Sequence, residues 1–425
     1  MLFFVFFQAL KGRTLGKNYY LCTLNYVFRR NKRDMTNVTV SKITSAKEMR
    51  AFVRFNYELY KDCPQAVPDL LEDTLETLDA RRNPAFRFCE AAFFLARRDG
   101  HIVGRVAAII NRRANERWSK QEVRFGWIDF IDNLEVSSAL LDAVEQWGRE
   151  KGMTSMVGPL GFTDLDPEGM LTEGFDQLST LCTIYNYPYY PQHLAQLGFE
   201  RETGWVERKV FIPKGEHEAN NARYFRVAQI AQQRYGFRVR HFRNKKELKK
   251  GKYIQKVLGV INRAYVDLYG YSQLDEQQME WYADRFMLLL DCNFLSVVEN
   301  AEGEFIGVGI CVPNLSRAVQ KAKGKLFPFG WWYIARELWF KRKHQILDML
   351  LVGVLPEYQE KGANALFFAD LIPNGISGGY EWAESHPQLE DNLASQMQWK
   401  NLDCSIHKRR AVFVKEIKNS LTNSN

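Results

Sequence analysis

Glu384 and His386 stand two positions apart in YEWAESH, a short run that is typical of a β-strand. Because side chains alternate between the two faces of a strand, these two share one face. A carboxylate or a neutral imidazole can remove the proton of a nucleophile that attacks a carbonyl carbon. We predict Glu384 as the general base and His386 as the second candidate; the alternative is that both face solvent at the strand end.

The stretch QEKGAN, from Gln359 to Asn364, has the composition of a phosphate-binding turn that opens a helix. Gly362 lets the backbone approach a ligand, and the free amides from Ala363 onward point toward it with the positive end of the helix dipole. Lys361 adds a positive charge, whereas Asn364 narrows the space. A diphosphate suits this turn, although any connection between a strand and a helix can contain a glycine.

Two halves of the chain repeat one order of predicted elements. The first begins with a helix in SAKEMRAFVRFNYELY and continues with two strands around Asp99-Gly100, a dipeptide that favours a tight hairpin. The runs VRFGWIDFID, NLEVSSALLDAVEQWGREKG and MTSMVGPL then predict a βαβ unit with parallel strands. A short helix in YYPQHLAQLGF and a last strand in TGWVERKVFI complete this half.

The second half has the same order. Two helices precede a hairpin around AEGE, and the strand ILDMLLVGVL leads through QEKGAN into a helix. The strand YEWAESH, a helix in LEDNLASQMQWKNL and a closing strand in RRAVFVKEI follow. We predict one domain over residues 35–213 and another over residues 214–425. A lysine-rich polar bridge near residues 214–252 is predicted to be the edge of a helix followed by a linker.

This order of elements resembles a tandem pair of GNAT acyl-CoA transferase domains over most of residues 38–417. The resemblance also rests on the LGF triplet at residues 197–199 and on QEKGAN. It implies an α/β fold (α+β, with a mixed sheet) and acetyl-CoA or another acyl-CoA as co-substrate, with no metal. It further implies that the backbones of Val352 and Val354 hold the pantetheine arm and the thioester oxygen.

The resemblance departs from the family pattern in the helix after YEWAESH. Many GNAT enzymes carry a tyrosine there that protonates the leaving thiolate, but this chain has Trp399 near that position, and an indole is not an acid at neutral pH. Asn392, near the start of the helix, is predicted to contact the cofactor or, alternatively, to cap the helix.

The first half has no glycine at the position that corresponds to QEKGAN. The run FIDNLEVSSALL places Asp132 and Glu135 there, and their charges would repel a phosphate. We therefore predict that residues 35–213 lack a phosphate loop, that the chain has one active site in its second half, and that the first half shapes the acceptor site.

A long insertion in the first half, GPLGFTDLDPEGMLTEGFDQLSTLCTIYNYPYY, combines acidic and aromatic residues. Carboxylates together with aromatic faces can bind a cationic amine. We predict acceptor binding by Asp164, Glu173, Tyr185 and Tyr189; the alternative is a packed loop with solvated acids.

A second insertion, SRAVQKAKGKLFPFGWWYIARELWFKRKH, separates the hairpin of the second half from the strand ILDMLLVGVL. Its tryptophans form an apolar helical surface next to Lys341, Arg342 and Lys343. Such a segment can cover a long acyl chain, pack on the other half, or make peripheral contact with a membrane through residues 326–343.

Composition narrows the function classes. The 425 residues are 46% hydrophobic and 25% charged, which excludes disordered and fibrous proteins. The 58 Lys and Arg against 50 Asp and Glu give a net charge of +8, which favours an anionic partner without specifying one. Seven scattered cysteines without a CxxC pair fit a reduced, cytoplasmic location. We predict no DNA partner and no transmembrane segment.

The first residues are set apart from this pattern. The run MLFFVFFQAL is about half as long as a membrane span, and Met35 directly precedes the first predicted strand. We therefore expect Met35 to be the natural start and residues 1–34 to be an upstream extension that is not native; the alternative is a short tail that binds a membrane surface.

Together these features predict a cytoplasmic N-acyltransferase that moves an acetyl or other acyl group from acyl-CoA to a small-molecule or peptide amine. Two alternatives stay open: a tRNA-dependent aminoacyl transferase of the tandem GNAT type, and a non-catalytic acyl-CoA sensor or scaffold. A requirement for tRNA would identify the former, and binding without turnover the latter.

Overall fold

The computed structural model describes residues 38–213, 219–340 and 346–418. The predictions on residues 1–34 and on the basic residues 341–343 fall outside these ranges. Elements below are named in chain order.

The described residues contain fourteen strands in one sheet. They are β1 (Thr39–Lys42), β2 (Cys89–Arg98), β3 (His101–Asn111), β4 (Glu122–Phe130), β5 (Ser155–Gly158), β6 (Met170–Glu173), β7 (Glu200–Phe211), β8 (Arg238–Arg240), β9 (Leu295–Glu299), β10 (Phe305–Pro313), β11 (Ile346–Val354), β12 (Trp382–Ser385), β13 (Gln388–Leu389) and β14 (Cys404–Glu416).

Helices cover the sheet. They are α1 (Ala46–Leu59), α2 (Leu71–Thr77), α3 (Arg112–Arg117), α4 (Leu134–Glu150), α5 (Tyr189–Gln196), α6 (Ala219–Tyr235), α7 (Lys245–Lys250), α8 (Tyr253–Ala264), α9 (Glu276–Leu289), α10 (Ser316–Ala322), α11 (Gly330–Ala335), α12 (Ala363–Ser377) and α13 (Leu393–Met397). Short 3₁₀ turns lie at Pro84–Arg87, Cys292–Phe294, Pro356–Lys361 and Gln398–Asn401, and a π-helical turn at Arg336–Phe340.

The predicted mixed sheet and the repeated order of elements are confirmed. The strand order is β1-β2-β3-β4-β5-β14-β7-β12-β11-β10-β9-β8, with β6 beside β14 and β13 beside β7. The pairs β4–β5 and β11–β12 are parallel, as the two βαβ units require. The hairpin between β2 and β3 turns at Asp99 and Gly100, whose φ angles of 50° and 77° are those of the favoured tight turn.

The last strands of the two halves are exchanged. β14 lies against β5 of the first half, with Phe413 opposite Gly158, while β7 lies against β12 of the second half, with Ala383 opposite Val210. β7 and β14 also pair with each other over most of their length. Each half is therefore completed by a strand of the other. The boundary at residues 213 and 214 stays a prediction.

Two local predictions are corrected. The bridge near residues 214–252 contains the helices α6 and α7 and the strand β8, because apolar residues at helical spacing on α6, such as Tyr224, Ala228 and Ala231, are buried against the second half. The helix after β12 is shorter than LEDNLASQMQWKNL: α13 ends at Met397, and a 3₁₀ turn follows.

Candidate active site

Strand β11 carries a bulge where it leaves its parallel neighbour β12. Ile310 and Cys311 are adjacent on β10, but their partners on β11 are Leu351 and Met349, so Leu350 is the extra residue. β12 pairs with β11 only as far as Met349, and the two strands then diverge. Bulges bend a strand and often lie next to active sites. The gap between β11 and β12 is the first element of the candidate site.

Backbone groups of β11 line this gap. The backbone amide of Leu355 donates to β10. Successive residues of a strand direct their N–H and C=O groups to opposite edges, so those of Val352 and Val354 are directed away from β10, toward the gap. Tyr265 Oη donates to the Val352 carbonyl at 2.9 Å, and Gln359 Nε2 donates to the Val354 carbonyl at 3.1 Å. The amides of the two valines have no partner among the described residues, so they are available as donors.

The turn predicted to bind phosphate lies at the start of α12. Gly362 has a φ of 79°, in the left-handed region. Across the part of the chain that the structure describes, the amides of Gly362, Ala363 and Asn364 find no hydrogen-bond partner. Lys361 is exposed, and its ammonium lies 5.0 Å from the ring centroid of Tyr358. Three donors and one cation thus meet where β11 leads into α12.

One side of this turn is covered by α6. A Cβ on Gly362 would lie 3.0 Å from Val227 Cγ1 and 3.5 Å from Ala231 Cβ. Glycine is therefore required here by its φ angle and by the packing of α6, in addition to the access that the sequence suggests. A ligand has to reach the amides from the side away from α6.

The corresponding corner of the first half is closed by its own groups. Asn133 Oδ1 accepts a hydrogen bond from the amide of Val136 at the start of α4, at 3.2 Å. The amide of Leu160 donates to the Phe125 carbonyl, at 3.0 Å, where β4 and β5 diverge. The lack of a phosphate loop in residues 35–213 stays a prediction, and these contacts support it.

Glu384 lies in a buried charge cluster, which consists of Glu207, Glu384, Lys408 and Arg410 from strands β7, β12 and β14. The Glu384 side chain is 3% exposed and directly contacts the ammonium of Lys408, so it does not face solvent. The same ammonium lies 3.4 Å from Glu207, which also contacts Arg410. Burial alone would raise the pKa of Glu207, but the two cations outweigh it and lower this pKa to about 2. The cluster therefore holds two carboxylates and two cations in mutual contact.

Three residues of this region have the types of metal ligands. Glu207, Glu384 and His407 each place one ligand atom within 4.8 Å of the others. His407 Nε2 lies 3.3 Å from Glu384 Oε1. The Lys408 ammonium nevertheless contacts both carboxylates, so the cation at this position is a side chain. We assign no metal site to the cluster.

Asp348 on β11 is a further candidate that is not among the predicted site residues. It is in register with Glu384 on β12 and accepts a hydrogen bond from Asn314 Nδ2 at 2.7 Å. Burial, and next the charge of Glu384, raises its pKa from 3.8 to about 8. The sequence signal for it is a single carboxylate inside the apolar run ILDMLLVGVL, because a buried acid is usually paired or functional.

His386 lies just beyond the last pair of β12. Its amide donates to the Met349 carbonyl at 3.3 Å. Burial lowers the pKa of its imidazole to about 4, so the ring is neutral at neutral pH. Its Nε2 is buried and has no partner within the described residues. Catalytic roles for Glu384 and His386 stay predictions, and the geometry adds Asp348 to them.

The acidic insertion of the first half reaches the second half beside β11. Asp164 accepts a hydrogen bond from the backbone amide of Ser272 at 3.2 Å. Burial raises the pKa of the Cys182 thiol to about 12, and the nearby charge of Asp348 contributes. Burial, followed by the charge of Asp164, also raises the pKa of Glu168 well above its usual range. Of these three residues, Cys182 is the one that lies near the candidate base Asp348.

The other predicted acceptor residues lie in different surroundings. The Glu173 side chain is 68% exposed and pairs with Arg409 at 3.2 Å. Tyr185 donates to the carbonyl of Phe175 and Tyr189 to that of Phe130, both within the first half. Of the four predicted residues, Asp164 and Glu173 thus contact residues of the second half, and acceptor binding by all four stays a prediction.

Comparison with known proteins gives two curated relatives. The chain is 28% identical over 331 residues to Protein YghO of Escherichia coli (strain K12), which covers 75% of the chain and 79% of the relative. It is 25% identical over 396 residues to the bacterial ceramide synthase of Caulobacter vibrioides, which covers 90% of the chain and 99% of the relative. No protein-family model matches the chain.

Solved structures with the same architecture include a tandem GNAT protein from the clavulanic acid biosynthesis pathway. It aligns with a TM-score of 0.52 at 12% identity over 90% of the chain and 100% of that protein. The chain has a tandem GNAT fold. A second GNAT structure, the glucosamine N-acetyltransferase region of a fungal multi-domain β-N-acetylglucosaminidase, aligns with a TM-score of 0.51 at 12% identity, over 89% of the chain and 38% of that protein. In the described part of this tandem GNAT fold, no helix has the length and apolar character that a membrane span needs.

The helix after β12 of this tandem GNAT fold has its own partners. Asn392 Oδ1 accepts from the amide of Ser395 at 3.0 Å and so caps α13, which is the alternative that the sequence left open. Trp399 is buried, and its indole donates to Gln388 Oε1 at 2.6 Å. A cofactor contact of Asn392 stays a prediction.

Proposed function

We propose that the chain is an N-acyltransferase that moves the acyl group of an acyl-CoA to the amine of an acceptor. The observation that carries the proposal is the gap between β11 and β12. It has donor amides at Val352 and Val354 and leads into the unpaired amides that open α12. The tandem GNAT fold supports the same reaction class.

The donor fits this geometry in two parts. The amides of Gly362, Ala363 and Asn364, with Lys361 nearby, hold the diphosphate of CoA, because unpaired amides at a helix start favour anions. The pantetheine arm then runs along β11. There the free valine amides donate to the arm and to the thioester oxygen, whose negative charge grows in the transition state.

Proton transfer is assigned to Asp348. The acceptor amine attacks the thioester carbon, a C–N bond forms, the C–S bond breaks, and CoA leaves as the thiolate. The amine proton passes to the ionised form of Asp348, and because the pKa of this carboxyl is about 8, turnover is expected to rise with pH up to about pH 8. Glu384 is already paired with Lys408 and holds the charge cluster beside this base. Neutral His386 positions the amine or a water through its free Nε2.

The acceptor is a long-chain amine under this proposal. One relative, matched over 99% of its length, is named a ceramide synthase, and ceramides are N-acylated long-chain amino alcohols. Asp164 of the insertion, which contacts the second half through the backbone amide of Ser272, offers a carboxyl group that can hydrogen-bond the amine of such an acceptor. The alkyl chain distinguishes it from a peptide amine.

The test combines a substrate panel with matched variants. Purified protein is incubated with acetyl-CoA and long-chain acyl-CoAs and with water-soluble and long-chain amines, and the amide is detected by mass spectrometry. Asp348→Asn is expected to lower turnover about 100-fold or more and Glu384→Gln to lower it less, because only the former removes the base. Asp267→Asn, whose carboxylate is 89% exposed, is the control and keeps wild-type turnover.

Three results would contradict the proposal. The reverse order of the two variants would return the base to Glu384. Binding of acyl-CoA without an amide product on any amine would leave a sensor or scaffold. Amide formation that needs aminoacyl-tRNA in place of acyl-CoA would identify the other tandem transferase type.

A further inference from the structure

The segment between β10 and β11 ends in an exposed group of aromatic rings, which we call the aromatic tip (residues 326–332). Phe327 is 71% exposed, Phe329 76%, Trp331 49% and Trp332 46%. Among the described side chains these are the four most exposed aromatic residues of the chain. Exposed apolar groups of this kind, when they cluster, mark an interaction surface.

The base of this segment is already packed on the first half. Gln320 Nε2 donates to the Ala66 carbonyl at 2.7 Å, and the amide of Leu71 donates to the Gly324 carbonyl at 2.9 Å. The start of the segment thus provides the packing on the other half that the sequence suggests. The aromatic side chains of the tip, which follow it, remain exposed by about half or more of their surface.

Two backbone amides and one indole N–H of the tip are paired within the tip. The amide of Trp331 donates to the Leu326 carbonyl at 2.8 Å, and its indole donates to the Pro328 carbonyl at 3.1 Å. The amide of Trp332 donates to the Phe329 carbonyl at 3.2 Å. These three N–H groups keep their hydrogen bonds when the tip enters an apolar region, which lowers the cost of their transfer.

We propose that the aromatic tip docks on the surface of an anionic phospholipid bilayer. Tryptophan and phenylalanine bury their rings at the boundary between headgroups and acyl chains. Lys321, Lys323 and Lys325, just before the tip, are exposed and attract anionic headgroups. A stable protein interface uses about 20–30 residues on each partner, whereas the tip has seven. Charge and size together favour the bilayer.

The stem of this segment begins and ends beside the candidate base. The amide of Asn314 donates to the Ile346 carbonyl at 2.9 Å, and the Asn314 side chain donates to Asp348. We extend the proposal to the delivery of a long-chain amine from the bilayer at the tip toward Asp348. This delivery rests on the proposed function, whereas the docking does not.

The docking is tested by flotation of the full chain with vesicles of phosphatidylcholine, alone or with phosphatidylglycerol. The wild type is expected to float with the anionic vesicles. The variant with Ser at Phe327, Phe329, Trp331 and Trp332 is expected to lose about tenfold or more of this binding. Ile230→Ser, on α6 and 51% exposed, is the matched control and floats as the wild type does.

The electrostatic part has its own variant. Replacing Lys321, Lys323 and Lys325 by Gln is expected to weaken binding to anionic vesicles at low salt, and the difference from the wild type disappears as salt screens the charges. Equal binding of this variant and the wild type at low salt would overturn the assignment to anionic lipid.

Further outcomes test whether the aromatic tip docks on a bilayer. A wild type that stays in solution with both vesicles, or a tip variant that floats like the wild type, overturns the proposal. Circular dichroism checks that the variant is folded, and Phe329→Ser alone gives a milder test. Dimers without vesicles that become monomers in the tip variant would make this a surface between two copies and overturn bilayer docking. A wild type that floats but forms no amide confirms docking and removes only the proposed function.

Discussion

Replacing Asp348 by Asn removes a buried carboxyl whose pKa is about 8 in the folded protein, against 3.8 for an ordinary aspartate. Asparagine has the same shape and is neutral. It therefore resembles the protonated form of Asp348, which is the form present in the folded protein below about pH 8. Between about pH 4 and about pH 8 the unfolded chain has released this proton and the folded chain has kept it. The contribution of this group to the free energy of unfolding of the wild type therefore falls as the pH rises through this window.

The magnitude follows from the two pKa values. They differ by about 4 units, each equivalent to about 1.4 kcal/mol, so this group lowers the stability of the wild type by up to roughly 6 kcal/mol across the window. Asp348 is 3% exposed, which leaves little screening by solvent. We expect Asp348→Asn and the wild type to have equal free energies of unfolding near pH 4. The variant should become steadily more stable than the wild type as the pH rises to about 8, and the difference should stay constant at higher pH.

Urea unfolding between about pH 5 and about pH 9 measures this difference through the midpoint and the slope of each transition. The Asp267→Asn control is expected to follow the wild-type curve at every pH, since its carboxylate is exposed. Parallel curves for the wild type and Asp348→Asn would mean that the folded-state pKa of Asp348 is ordinary. The physical reason for choosing it as the base would then be gone.

The other predictions concern the neighbours of this group and the turn at α12. Lys408→Met leaves the buried carboxylate of Glu384 without its cation, so the melting temperature should fall by the equivalent of about 3–5 kcal/mol, and adding Glu384→Gln should restore part of it. Gly362→Ala should lower both the stability of the fold and the affinity for acyl-CoA. The control is Gly100→Ala, at a position with a similar φ of 77° but no atom within 4 Å of an added Cβ; it should cost about 1 kcal/mol of stability and leave the affinity unchanged. Equal losses of stability in the two variants would contradict the argument that α6 packs against Gly362. His386→Asn should leave the pH dependence of turnover unchanged between about pH 6 and about pH 9, because the imidazole is already neutral there; an altered profile would show that it titrates.

The repeated order of helices and strands could be predicted because it depends on local patterns. Apolar spacing predicts α1 and α4, and Asp99-Gly100 predicts the first hairpin. The exchange of β7 and β14 between the two halves leaves no such local signal. Backbone hydrogen bonds can form equally well with either antiparallel strand, so the sequence of a strand does not show which half it completes. The fold was therefore predictable up to its last strands.

The site was predictable only where its residues are close in sequence. The turn around Gly362 and the pair Glu384 and His386 can be found in single short runs. The environment of Glu384 cannot be found in this way. The ammonium that contacts it belongs to Lys408 on another strand, and the second carboxylate of the cluster is that of Glu207 from the other half. Whether a carboxylate serves as base or as ion-pair partner is decided by such distant contacts.

Calorimetric titration of the full chain with acyl-CoA tests the central claim most directly. The claim is that the gap between β11 and β12, together with the amides of residues 362–364, holds the donor. We expect one molecule bound per chain, with affinity that falls when Lys361 is replaced by Glu and is retained when Lys151, an exposed lysine of the first half, is replaced by Glu. Absence of binding for acetyl-CoA and for longer acyl-CoAs alike, or binding that ignores the charge at position 361, would contradict the account.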